Sequence, residues 1–169
     1  MKINIIGFYK IKKIKNPKKY QNLIKKFFSE KFVTGIVILA PEGINGTIAG
    51  KKNNVIECIK YIKKKLYIKS FDSKNFSIVG YQPFNKTKIK IKKEVVPIGL
   101  TLTPNEKRKN KYIEPKNWNK FIKNKNVTLI DVRKSMEFKL GTFKSANDPN
   151  MKNFMQFPSL FKKLNKNKK

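Results

Sequence analysis

Between residues 2 and 93 the apolar side chains switch repeatedly between strand spacing and helix spacing, and the order of those switches restricts the fold more than any other property of the chain. Residues 2–9 form a β-type apolar run. Asn16-Pro17 then reads as an N-cap followed by a proline at the first helical position. Tyr20, Leu23, Ile24, Phe27 and Phe28 share one helical stripe facing inward, with Lys18, Lys19, Lys25 and Lys26 turned mostly to water. Residues 32–39 are β-rich, and Pro41-Glu42-Gly43-Ile44-Asn45-Gly46 supplies turn chemistry, Asn-Gly favouring the positive φ angles of a tight hairpin. Residues 47–49 return as a strand. Asn54 and Glu57 have the spacing of a capping box, with Val55, Cys58, Ile59, Ile62 and Leu66 on the inner stripe of the helix that follows. Residues 76–79 and the strictly alternating residues 87–92 complete the series as strands.

As far as residue 79 the order is β-α-β-β-α-β, and with the strand at residues 87–92 it predicts an α+β, ferredoxin-like domain over residues 1–93, an antiparallel sheet with two helices on one face and the other face open. Residues 94–111, including Pro104-Asn105-Glu106-Lys107-Arg108-Lys109-Asn110, are polar, carry no period and read as a linker. Residues 112–169 read as part of an α/β domain. Glu114-Pro115 opens a short helix with Trp118, Phe121 and Ile122 inward, and residues 127–132 are a continuous apolar run suited to a parallel strand covered on both faces. This stretch is short for such a sheet, so the domain is expected to be incomplete, and the lysine-rich tail from Phe161 to fray. No long repeat of fixed period is present.

Composition narrows the chemistry. Histidine is absent and Cys58 is the single cysteine, which excludes serine-histidine catalysis, histidine-ligated metals and internal disulfides. No group of residues has metal-ligand spacing. The opening MKINIIGFYKIKK holds too short an apolar stretch for a signal peptide and no later run approaches a membrane span, so the expectation is a cytoplasmic protein with no membrane partner. The net charge of +31 suggests a polyanionic partner, because clustered lysines attract phosphates and release counterions. The same bias arises without selection for binding where A/T-rich codons accumulate, since the cations are almost all Lys, with Arg only at Arg108 and Arg133, among many Ile, Asn, Phe and Tyr.

Three places carry candidate chemistry. Lys88, Lys90 and Lys92 recur on one face of a strand at about 6.6 Å intervals. Flanked by Lys86 and Lys93 and with Tyr81 and Phe84 as stacking surfaces, they make a candidate contact for single-stranded RNA, the alternative being a solvated sheet face. Glu42 in the glycine-rich turn is a candidate acid or base, the alternative being a plain hairpin. Asp131 and Arg133, with Glu137 and Gly141 beyond them, lie at the carboxyl end of the expected strand, where open α/β sheets place ligands. Arg133 offers a rigid planar fork that lysine lacks, and simple pairing with Asp131 or Glu137 is the alternative. Cys58, on an inner helical stripe, reads as a small buried hydrophobe.

Residues 38–50 (ILAPEGINGTIAG) resemble the signature of the rhodanese-domain-containing tRNA uridine hydroxylases, and residues 88–96 (KIKIKKEVV) resemble the lysine-rich strand that follows in them. Residues 112–118 (YIEPKNW), 129–143 (LIDVRKSMEFKLGTF) and 154–158 (FMQFP) are similar, in order, to segments at and after the start of that family's rhodanese domain; Lys134 departs from the Asn usual after its Asp-x-Arg triplet. The resemblance implies a ferredoxin-like domain followed by a rhodanese-like one. It also implies oxygen-dependent hydroxylation at C5 of the uridine in tRNA wobble position 34, molecular oxygen as co-substrate, and tRNA as partner. The family's catalytic cysteine lies downstream of the segment matching residues 154–158, so no residue here is expected to inherit that role. The competing expectation is a non-catalytic RNA-binding module or an inactive remnant. Sulfur transfer, which rhodanese resemblance alone suggests, ranks below both because it needs an exposed thiolate.

Overall fold

Alternating apolar strands buried under two amphipathic helices organise the amino-terminal half. The structure, a computed structural model, describes residues 2–100 and 113–166, which fall into two compact units, residues 2–95 and residues 96–100 with 113–166. The polar stretch Pro104-Asn105-Glu106-Lys107-Arg108-Lys109-Asn110 of the expected linker lies outside the described residues.

The first unit runs β1 (Ile3–Ile11), α1 (Pro17–Glu30), β2 (Thr34–Ala40), β3 (Gly43–Gly50), α2 (Lys52–Lys65), β4 (Ser73–Val79) and β5 (Thr87–Ile91). The sheet order is β4-β1-β3-β2-β5. β1 pairs antiparallel with β3 and β4, β2 pairs antiparallel with β3, and β5 lies parallel to β2. This is the expected ferredoxin-like α+β arrangement with β5 added at the β2 edge. One face of the sheet presents Ile6, Phe8, Val37, Leu39, Ile44, Ile48 and Ile89 to Ile24 and Phe28 of α1 and Val55, Cys58 and Ile62 of α2. Each such side chain contributes roughly 1.5–3 kcal/mol by leaving water.

Helix α1 starts where Asn16-Pro17 predicts: Asn16, at φ 51°, accepts from the Lys19 amide at 3.3 Å. Leu23, expected inward, is 39% exposed at the rim of the stripe. The expected capping box of α2 does not form. The helix begins at Lys52, which puts Asn54 at the third helical position. There its amide donates to the Lys31 carbonyl at 2.8 Å, and Glu57 pairs with Lys31 at 2.6 Å.

The hairpin also differs from expectation. Its turn is Pro41-Glu42, and Asn45-Gly46 sits inside β3 without positive φ. Gly46 serves close packing instead: a Cβ there would come 2.9 Å from the Ile36 carbonyl oxygen and 3.0 Å from the Phe8 ring. Where β4 begins, the nearly buried Asp72 accepts from the Lys10 ammonium at 2.7 Å and the Ile11 amide at 2.8 Å, tying the end of β1 to the chain that returns from α2.

The second unit contains α3 (Pro115–Ile122), α4 (Ser135–Leu140), a 3-10 turn (Phe154–Gln156) and α5 (Phe157–Lys166). Pro115 opens α3 as predicted; Trp118 and Ile122 are half-buried, whereas Phe121, expected inward, is 43% exposed. Residues 127–132 do not form the expected strand. A parallel bridge joins Ile130 to Asn147, with the Asn147 amide donating to the Leu129 carbonyl at 2.9 Å and the Asp131 amide to the Asn147 carbonyl at 3.0 Å. A strand needs a ladder, and a single bridging residue does not supply one. The tail from Phe161, expected to fray, lies in α5 as far as Lys166, with the Phe157 and Phe161 rings 5.8 Å apart, and residues 167–169 lie outside the described residues. Among the described residues no helix is long and apolar enough to cross a membrane.

Candidate nucleic-acid interface and the Asp131 crevice

Strand alternation fixes the lysine row. Ile89 is buried toward the helices, so Lys88 and Lys90 project from the opposite face, where they pair in register with Ile36 and Ile38 of β2. Two side-chain bonds anchor the strand: the Thr87 hydroxyl donates to the Val33 carbonyl at 2.8 Å, and the Gln21 amide of α1 donates to the Ile89 carbonyl at 2.7 Å. Beyond β5 the Lys92 amide still donates to the Leu39 carbonyl at 2.9 Å, and the side chains of Lys92 and Lys93 are exposed.

Phe84, Lys86 and Lys88 meet around a cavity of about 360 Å³, which Gly35, Ile36, Pro83 and Asn85 complete. The structure thus joins three of the seven residues proposed for RNA in one concave site. Lys90, Lys92 and Lys93 continue along the edge outside it, and Tyr81 stands apart from the lining, 68% exposed. Gly35 and Ile36 are not among the residues the sequence marks for RNA. The signal for Ile36 is the alternation of β2, in which Val37 and Leu39 face the core and therefore Ile36 and Ile38 do not, whereas Gly35 has the core-facing parity.

In the second unit Trp118, Leu129, Val132, Phe143 and Ala146 surround a crevice of about 590 Å³ that also touches Asp131 and Arg133. The Trp118 and Phe143 rings are 5.0 Å apart. The Arg133 fork is engaged within the loop itself. Its Nε lies 3.0 and 3.1 Å from the two Asp131 carboxylate oxygens, and its Nη2 donates to Asp131 at 2.6 Å and to the Gly141 carbonyl at 2.6 Å. The Thr142 hydroxyl donates to the same carboxylate at 2.9 Å. Hydrogen bonds from Arg133 hold the Asp131 carboxyl well below the usual carboxylate range, and Asp131 in turn raises the guanidinium. Glu137 is not part of the crevice lining; it accepts from the Lys134 amide at 3.3 Å and closes the first turn of α4. These bonds clamp the loop from Asp131 to Thr142.

Glu42 accepts from the Val95 amide at 2.9 Å, where the chain leaves the first unit. Cys58 is fully buried, and burial, with Glu57 adding to it, pushes its thiol up to about 12, which leaves no thiolate near neutrality. Among the described residues no three of Asp, Glu and Cys are grouped as a metal ion would require.

Residues 3–95 match the family described as the UPF0176 acylphosphatase like domain. The chain belongs to the UPF0176 family. Relatives of this UPF0176 chain include a protein of Pelagibacter ubique (strain HTCC1062) named tRNA uridine(34) hydroxylase, 46% identical over 165 residues that cover 98% of this chain and 54% of the relative. Proteins with the same name from Rickettsia akari (strain Hartford) and Picosynechococcus sp. (strain ATCC 27264 / PCC 7002 / PR-6) are 39% and 36% identical; their matches cover 96% and 91% of this chain and 65% and 51% of theirs. The resemblance read from residues 38–50 therefore holds. The UPF0176 chain spans between about half and two thirds of the length of these relatives. Among solved structures, the acylphosphatase of Coxiella burnetii is 10% identical with a TM-score of 0.35, over 53% of this chain and 90% of that one.

Proposed function

We propose that the chain takes part in hydroxylating the uridine at the wobble position of tRNA, position 34, and that its own share of the work is to hold the tRNA. The observation that carries this reading is the 46% identity, across 98% of the chain, with a protein named tRNA uridine(34) hydroxylase. In this reading residues 1–93 are a ferredoxin-like RNA-holding domain, residues 94–111 a linker and residues 112–169 a rhodanese-like part; molecular oxygen is the co-substrate, and a tRNA partner places the protein in the cytoplasm. Lys86, Lys88, Lys90, Lys92 and Lys93 follow phosphates along the β5 edge, and Phe84 and Tyr81 offer faces to bases. Asp131, Arg133 and Glu137 shape the crevice loop.

A second reading, binding without turnover, is favoured by one observation: the only thiol in the sequence is sealed in the core of the first unit. One experiment separates the two. Purified chain is incubated aerobically with tRNA that lacks the modification, binding is followed at several salt concentrations, and the nucleosides are analysed by mass spectrometry. Formation of 5-hydroxyuridine supports hydroxylation. Salt-sensitive binding without product supports the binding module. Affinity no better than that of a lysine-matched control polypeptide removes both. Reversing Lys88, Lys90 and Lys92 to Glu should weaken tRNA binding and flatten its salt dependence, and unchanged affinity would remove those lysines from the interface.

A further inference from the structure

In a β-ladder, residues paired across strands project from the same face, so the register identifies what the helix-free face of the sheet carries. One row crosses all five strands as Asn75, Gly7, Thr47, Ile36 and Lys88. The next crosses them as Ser73, Tyr9, Asn45, Ile38 and Lys90. Each row runs from neutral polar groups on β4 and β3, with Gly7 or Tyr9 between them on β1, over isoleucine on β2, to an ammonium group on β5. Among the described residues no side-chain hydrogen bond occupies Asn45 or Thr47.

Gly7 stands in the middle of this face, and among the described residues nothing around it requires a glycine. Gly35 and Gly43 are forced, since a Cβ on either would meet a backbone oxygen at 2.2 or 2.3 Å, and Gly46 is hemmed in by Phe8 and Ile36. A Cβ on Gly7 would find the Thr47 hydroxyl at 3.6 Å, an ordinary contact, and Gly7 has no positive φ. A glycine in mid-strand weakens the strand, and one role that offsets this is to let a ligand or another backbone approach closely. Here it leaves a notch floored by backbone, with the Tyr9 ring two positions along the strand, Thr47 and Asn75 on the flanking strands and Asn45 diagonal to it. Three strand spacings, about 14 Å, separate the notch from Lys88. A flat heterocycle fits on such a floor, with its edge toward amide and hydroxyl groups.

We propose that the open face around Gly7 is a base-binding site, on which a nucleobase unstacked from bound RNA lies against the Gly7 backbone between Tyr9 and Thr47 while the phosphates of the strand run toward Lys88 and Lys90. The proposal rests on the RNA reading above and adds a site that reads the base rather than the charge.

The test measures affinities of the full 169-residue chain by fluorescence anisotropy, using a labelled single-stranded uridine oligonucleotide and an abasic oligonucleotide with the same number of phosphates. Gly7→Val fills the notch, and Thr47→Val removes its hydroxyl at nearly constant volume; unfolding midpoints establish that both variants fold. Gly7→Val is expected to weaken binding of the uridine strand about tenfold, the scale of one lost base contact, to leave the abasic strand unchanged and to keep the salt slope. Thr47→Val is expected to act in the same direction, more weakly. Lys88→Gln combined with Lys90→Gln weakens both strands and flattens the salt slope. If folded Gly7→Val and Thr47→Val variants both bind the uridine strand as the parent does, or lose the abasic strand equally, the base site is overturned while the RNA reading stands. If the parent binds neither strand better than a lysine-matched polypeptide, the RNA reading itself falls.

Discussion

The amide of Val95 donates to the carboxylate of Glu42 at 2.9 Å, so the turn between β2 and β3 grips the chain just as it leaves the sheet. The same turn offers its backbone to the other flank, the Glu42 carbonyl accepting from the Lys12 amide at 2.9 Å and the Pro41 carbonyl from the Ile14 amide at 2.8 Å. Glu42 is thus a structural acceptor. Glu42→Ala should lower the stability of the first unit by about 1.5–3 kcal/mol, the range for a hydrogen bond to a charged group, and Glu42→Gln, which keeps an oxygen in place, by less. Urea unfolding of the two variants checks this; an unchanged midpoint for Glu42→Ala would leave the turn without its clamp.

What could be read from the sequence follows from how local each determinant is. Asn16-Pro17 fixes the start of α1 because a cap and a fixed φ act within one turn, and Cys58 reads as core because its stripe repeats at 3.6 residues. Asn45-Gly46 misled for the converse reason. Its turn preference is local, whereas its place inside β3 is imposed by pairing with Ile38 and Val37 and by the Phe8 ring against Gly46, contacts distant in sequence. Residues 127–132 have the composition of a buried strand, yet a strand also needs partners, and among the described residues only Asn147 bridges to Ile130. At the candidate interface the lysine alternation was visible, while Gly35 and Ile36 became part of the cavity only through the register of β2 against β5.

Two glycines of the sheet should respond oppositely to alanine. At Gly46 the added methyl is pressed between the Ile36 carbonyl and the side chains of Phe8 and Val37, at 2.9 to 3.1 Å, and overpacking of this kind costs about 1–3 kcal/mol. At Gly7 the methyl is accommodated, and the reduced freedom of the unfolded chain should stabilise by about 0.4–1 kcal/mol. Thermal unfolding of Gly46→Ala and Gly7→Ala side by side tests the contrast. Equal losses would mean that Gly7 is also held by packing.

Burial holds the Cys58 thiol up to about 12, above its value in the unfolded chain of roughly 8.5. The sign follows. The protonated thiol is favoured by folding, so its contribution is complete below about pH 8.5 and declines as pH rises from there toward 12, where the unfolded chain gains by ionising first. The stability difference between the parent and Cys58→Ala should therefore shrink with increasing pH over that window and stay constant below it. A thiol reagent at pH 8 should label the protein only at the rate of its unfolding, and rapid labelling of native protein would contradict the buried position.

The Asp131 carboxyl is depressed chiefly by its hydrogen bonds from Arg133, so the loop gains stability that is complete above the unfolded carboxylate value of about 3.9 and is lost as pH falls through the lower folded value. Trp118, the single tryptophan, lines the same crevice and packs on Phe143, which makes its fluorescence a local reporter. In the parent the emission should hold steady through pH 4 and change only in stronger acid. Arg133→Lys keeps the charge but loses the planar fork that spans Asp131 and the Gly141 carbonyl, so the acid transition should move to higher pH, with a smaller change expected for Lys134→Asn, whose side chain is exposed beside the clamp. An acid transition identical in parent and Arg133→Lys would mean that charge alone, and not the shape of the guanidinium, holds the loop.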